Sequence, residues 1–169
     1  MHIELCDCWF LSKPKQNSGE RKIEHRNPKI GVLRIDYQYV PIPGDVDCKD
    51  SFDFGIEYEV VDGLTFEIAQ LGYINDFIKS SIRIAVRKLE RRNVVGISGD
   101  CGFMMAYQSF VREVTDLPVF MSSLLQTPII TRTIEDDEKV AILSANSKAL
   151  NDNLEPLLKE CGITNTNQF

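Results

Sequence analysis

Histidine is nearly missing from this chain of 169 residues, and its two copies, His2 and His25, both fall in the first 27 positions. A cysteine protease or transferase needs an imidazole to take the thiol proton, so that chemistry has no partner here. The five cysteines are odd in number and widely spaced, which excludes a disulfide framework. Cys6-x-Cys8 has no second pair at zinc-ligand spacing, so no metal site is expected. Positive charge is scarce too: 19 Lys and Arg against 25 Asp and Glu leave a net charge of −6, which argues against nucleic acid and anionic membrane as partners. The densest basic group, Arg87, Lys88, Arg91 and Arg92, reads as the solvated end of a helix. No apolar run approaches the roughly 20 residues that cross a bilayer. Ile3 to Leu11 is broken by Glu4 and Asp7, too short for a secretory signal. A reducing, cytoplasmic setting is the expectation, and neither repeats nor low-complexity tracts are found.

What remains is an ordinary globular composition, 43% apolar, enough for one compact core. Its organising stretch is Val94 to Ser123. Val94 to Ser98 is a short β-branched run that fits a strand covered on both faces, and it stops at Gly99-Asp100-Cys101-Gly102. Phe103, Tyr107, Phe110, Val111 and Val114 then recur at helical spacing up to Leu117-Pro118, before a second apolar run, Val119 to Met121. Cys101 thus stands where a strand ends and a helix begins. In open α/β sheets that edge binds ligands. The free N–H groups of the first helical turn are expected to favour its thiolate, whereas Asp100 beside it opposes the charge.

Elsewhere, residues 1–28 read as an N-terminal extension, with Trp9 and Phe10 as its apolar contacts. Ile30 to Ile35 is a strand that delivers Asp36 to a long loop through Tyr37, Tyr39 and Cys48. Phe54 to Val61 alternates, Ile56, Tyr58 and Val60 on one face and Glu57 and Glu59 on the other. A short helix over Thr65 to Gln70 precedes a long one whose stripe is Ile74, Phe77, Ile78, Ile82, Ala85 and Leu89. Leu124 to Arg132 is a helix broken at Pro128. Val140 to Ser144 is a fifth strand, and Leu150 to Cys161 a final helix stopped by Gly162. This alternation gives an α/β class with a mostly parallel sheet flanked by helices. The divisions expected are the extension, a first lobe over 29–134, and one strand and one helix of an incomplete second lobe over 135–169.

A thiolate in such a turn acts as nucleophile, redox group or carbon base. A thioredoxin-like pair is excluded because position 104 is Met, which leaves proton abstraction, with a buried inert cysteine as the plain alternative. Ser122 and Ser123 end the next strand on the same edge, placed either to hold a carboxylate or to cap the following helix. Met104 and Met105 read as core filler before pocket wall.

The segments GVLRIDYQYVPIPGDVD, VVDGLTFEIAQ, GISGDCGFMMAYQ, PVFMSSLLQ and VAILSAN resemble the aspartate/glutamate/hydantoin racemase superfamily, and within it the Alma-type dimethylsulfoniopropionate lyases. The resemblance implies two similar α/β lobes with a cofactor-free active site between them, each lobe offering a cysteine. Cys101 matches the first; the second lies in a part of the family pattern beyond this chain, and Cys161, on a helix, is not its counterpart. The function implied is removal of a proton next to the carboxylate of a small substrate, cleaving dimethylsulfoniopropionate to dimethylsulfide and acrylate. Cys101 is the catalytic candidate, and Asp36, Tyr37, Tyr39, Asp100, Gly102, Ser122 and Ser123 are the substrate-binding candidates. An amino-acid or hydantoin racemase and a non-catalytic binding lobe stay open as alternatives. A single lobe leaves apolar surface uncovered, so homo-oligomerisation is expected.

Overall fold

Four parallel strands in the order β2-β1-β3-β4 form the sheet of this computed structural model, which describes residues 28–169. The expected extension, with Cys6, Cys8, Trp9 and Phe10, lies outside the described residues except for Pro28. The strands are β1 (Lys29–Arg34), β2 (Gly55–Val60), β3 (Gly96–Gly99) and β4 (Val119–Phe120). Helices α1 (Phe66–Leu71) and α2 (Asp76–Arg91) lie between β2 and β3, and α3 (Gln108–Val114) between β3 and β4. The short α4 (Thr127–Ile130) and the terminal α5 (Ser147–Glu160) complete the order. Among the described residues no helix is long and apolar enough to cross a membrane.

Side-chain chemistry fixes where these helices start. Thr65 accepts the Ile68 N–H at 3.4 Å and Asn75 the Ile78 N–H at 2.8 Å, each satisfying an orphan donor of a first turn. The apolar stripe of α2 buries Ile78, Ile82, Ala85, Val86 and Leu89 against Leu33 and Ile97. Each large side chain so buried contributes about 1.5–3 kcal/mol. Gly31 makes the close approach possible, because a Cβ there would stand 2.9 Å from Leu89 Cδ1. Glu57 and Glu59 share that face by register with Gly31 and Leu33, and Lys88 of α2 and Arg92, at its C-cap, pair with Glu59.

Two local expectations are corrected. The segment after Cys101 is a 3₁₀ helix over Gly102–Tyr107 that becomes α-helical only at Gln108. Its apolar spacing suits either helix, but Phe103, Met104, Met105 and Tyr107 are all buried, which the tighter three-residue turn permits. The methionines are core, as the plainer reading had it. Val140 to Ser144 is not a strand: Val140 donates its N–H to Gln168 O, and no described strand edge is paired with it. α5 packs back on the elements expected to form the first lobe. Asn146 donates to Gln70 Oε1 at 2.7 Å, Asn153 to Gln70 O at 3.1 Å, and Glu160 accepts the Ser109 hydroxyl at 2.6 Å.

Candidate active site

The chain leaves β1 outward to β2 and then crosses back to β3, so β1 and β3 flank the point where strand order reverses, and their carboxyl ends open a crevice. Two connections meet there. Asp100 ties them together: its carboxylate accepts the Ile35 N–H at 3.1 and 3.2 Å, and its own N–H donates to Leu33 O at 3.1 Å. Cys101 follows in extended geometry as the N-cap of the 3₁₀ turn, its carbonyl accepting the Met104 N–H at 2.9 Å.

Cys101 is partly buried and lines two cavities, which also share Phe66 and Gly102. The smaller, about 210 Å³, is closed by Ser123, Leu124 and the extended segment from Ile142 to Ala145. The larger, about 440 Å³, is walled by Tyr37, Tyr39 and Phe66, with Asp47 and Asp100 as its carboxylates. Tyr37 stands with its ring centroid 6.0 Å from that of Tyr39 and 6.2 Å from that of Phe66, forming an aromatic wall beside the sulfur.

Electrostatically the pocket is acidic. Burial, reinforced by Asp47, pushes the Asp100 carboxyl up to about 7. Burial also pushes the Cys101 thiol up; the neighbouring Asp100 adds to this, and the Phe103 and Met104 N–H groups only partly oppose it. Of the two opposing influences expected on the thiol, the N–H donors that favour thiolate are outweighed, because desolvation of the sulfur exceeds what a single 3₁₀ turn of donors supplies.

The remaining sequence candidates divide. Tyr37 and Tyr39 reach the larger cavity and Ser123 the smaller, with Gly102 in both. Tyr39 is also a loop anchor, its hydroxyl 2.7 Å from Asp45 and 3.0 Å from Asp47. Asp36 lines neither cavity: its Oδ2 accepts the Gly63 N–H at 3.1 Å and joins two loops. Ser122 is buried, and its Oγ accepts the Leu124 N–H at 3.2 Å, so capping takes the hydroxyl. Sequence reasoning missed Phe66, which lines both cavities with Cys101 and Gly102, and Asp47, deep in the long loop. Phe66 follows the capping Thr65 directly, a position that faces the crevice once α1 is placed. Asp47 closes the segment GVLRIDYQYVPIPGDVD, but no helical or strand period singles it out.

No family model matches the chain. It is 42% identical to dimethylsulfoniopropionate lyase 3 and 43% identical to dimethylsulfoniopropionate lyase 7, both of Emiliania huxleyi strain CCMP1516, in each case over 91% of its own length. It is 39% identical, over 92% of its length, to the dimethylsulfoniopropionate lyase of Durusdinium sp. clade D. The chain spans 40%, 45% and 51% of those relatives respectively, about half or less of each. In fold it is similar to a glycine-to-cysteine mutant of arylmalonate decarboxylase in a sulfate-associated form, with a TM-score of 0.54 and 19% identity over 79% of this chain and 57% of the other. The chain therefore shares its fold with that arylmalonate decarboxylase, and the likeness to dimethylsulfoniopropionate lyases read from the motifs holds over most of its own length.

Proposed function

We propose that this chain, related to dimethylsulfoniopropionate lyases over nine-tenths of its length, carries the proton-abstracting lobe of such an enzyme. The single observation that carries the reading is a partly buried Cys101 at the junction of two chemically different cavities. The substrate has two unlike ends. Its dimethylsulfonium suits the Tyr37, Tyr39 and Phe66 wall, where a cation meets aromatic faces. Its carboxylate suits the side of Gly102 and Ser123 in the smaller cavity, where backbone and hydroxyl donors are available. The carbon between them then lies at the sulfur.

Cys101, as thiolate, takes the proton from the carbon next to the carboxylate. The electron pair of that C–H bond becomes the new C=C bond, the C–S bond breaks with its pair going to sulfur, and dimethylsulfide and acrylate result. The proton stays on Cys101 until solvent removes it. Elimination needs one base, whereas racemisation needs an acid on the opposite face as well. Cys48 and Cys161, the other thiols among the described residues, line neither cavity. A reducing, cytoplasmic setting would keep the thiol available.

Headspace dimethylsulfide from the full chain supplied with dimethylsulfoniopropionate tests the reading. Cys101→Ala should abolish release above the uncatalysed rate. Unchanged release from that variant, or racemisation of aspartate or glutamate without dimethylsulfide, would withdraw it.

A further inference from the structure

The larger cavity is lined by two carboxyl groups, Asp47 and Asp100, and by no cationic side chain. Asp47 is only 6% exposed. Its Oδ2 takes the Arg34 guanidinium at 2.9 Å and the Tyr39 hydroxyl at 3.0 Å, while Oδ1 is buried with no hydrogen-bond partner among the described residues. A buried carboxylate oxygen left unsatisfied is costly. Arg34 does not line the cavity: its guanidinium lies behind, 6.0 Å from the Tyr39 ring centroid and 5.9 Å from that of Tyr58. Its Nε is likewise unpartnered among the described residues, so the pair is satisfied on one side only. Asp100 adds a second carboxyl to the lining, and Asp45 a third acid at the Tyr39 hydroxyl, against one arginine. Three aromatic rings and an acid excess in one wall fit a particular ligand chemistry.

We propose that Asp47 determines charge specificity in this cavity, making the Tyr37, Tyr39 and Phe66 wall a subsite for methylated onium cations as a class, sulfonium and quaternary ammonium alike. The inference rests on the reading of that wall as the sulfonium side of the site. The ring faces supply shape and a quadrupole, which a methyl-clad cation matches without needing N–H donors. The carboxylate supplies the sign, acting on the cation through its field and not through contact with the buried Oδ1.

Calorimetric titration of the full chain with three probes tests this: tetramethylammonium, methylammonium, and 4-methylpentanoate, the uncharged-tail isostere of the sulfonium acid. The wild type should bind tetramethylammonium more tightly than methylammonium. Asp47→Asn should lose about tenfold in tetramethylammonium affinity and leave 4-methylpentanoate unchanged. Because that change strands Arg34, the double variant Arg34→Met with Asp47→Asn removes the buried pair as a unit and should show the same selective loss. Equal losses for both ligands, no loss, or preference for methylammonium would overturn the proposal. Asp47-dependent tetramethylammonium binding without dimethylsulfide release keeps this inference and removes the lyase reading. Dimethylsulfide release with no onium binding and an unchanged KM in Asp47→Asn does the reverse.

Discussion

Cys101 and Asp100 are adjacent acids in one partly dehydrated pocket; burial hinders the ionisation of both, and Asp100 makes that of Cys101 harder still. As pH rises, Asp100 loses its proton first, near 7, and its charge then helps hold the thiol above the ordinary thiol range. A base of that kind is strong but sparsely populated at neutrality, so the rate of dimethylsulfide release should climb well into alkaline pH. Asp100→Asn keeps an acceptor for the Ile35 N–H yet removes the charge; it should shift the rising limb of the pH–rate profile to lower pH. An unmoved limb would separate Asp100 from the chemistry. The same group links stability to pH. Its folded value, about 7, is above the ordinary 3.8, so the folded state holds a proton that the unfolded state releases, and stability is lost as pH rises between those values. The urea midpoint of Asp100→Asn should therefore match wild type near pH 4 and exceed it at pH 8. The cysteine turn was legible because glycines, a strand run and a helical stripe converge on it. Phe66 and Asp47 were not, because they reach the cavity through the placement of α1 and the folding back of a long loop, which no local period encodes.

Among the elements, the join of β3 to β4 sets the position of Cys101 relative to the serines. Gln108 is buried and spans it, donating to Val119 O at 3.0 Å and accepting the Met121 N–H at 2.9 Å. Gly99 lets the two strand ends close, since a Cβ there would lie 2.6 Å from Met121 O, a backbone atom that cannot swing aside. Gln108→Leu should cost about 2–4 kcal/mol by stranding two buried backbone groups, measured by urea unfolding. Gly99→Ala should destabilise through overpacking by about 1–3 kcal/mol and lower turnover in parallel, because Cys101 is two residues away. A variant as stable as wild type would show that the join is not tight. Periodicity sufficed to find the strands and the helix of this join, though not the 3₁₀ form of its first turns. It failed at Val140 to Ser144 because apolar composition reports burial potential, whereas a strand also needs a partner edge, and that is a property of the assembled sheet.

At the scale of the molecule, exposed apolar side chains gather near the edge that carries Cys101. Leu143, in the lining of the smaller cavity, is 97% exposed; Val40 and Ile42, in the loop leaving Tyr39, are 86% and 67% exposed. Covering such a rim would exclude water from the sulfur, strengthen the cation–aromatic contact and protect a carbanion-like transition state from stray protonation. The relatives are about twice as long as this chain or more. A second copy applied to the rim is the cover this chain can itself supply. Sedimentation should then show a dimer or larger at tens of micromolar, and dimethylsulfide release per mole of chain should fall on dilution below the dissociation range. Leu143→Asp should weaken both together while leaving the helical circular dichroism unchanged, since that side chain makes no core contact. A monomer whose specific activity is flat with concentration would mean that the two cavities work uncovered, and the rim would need another explanation.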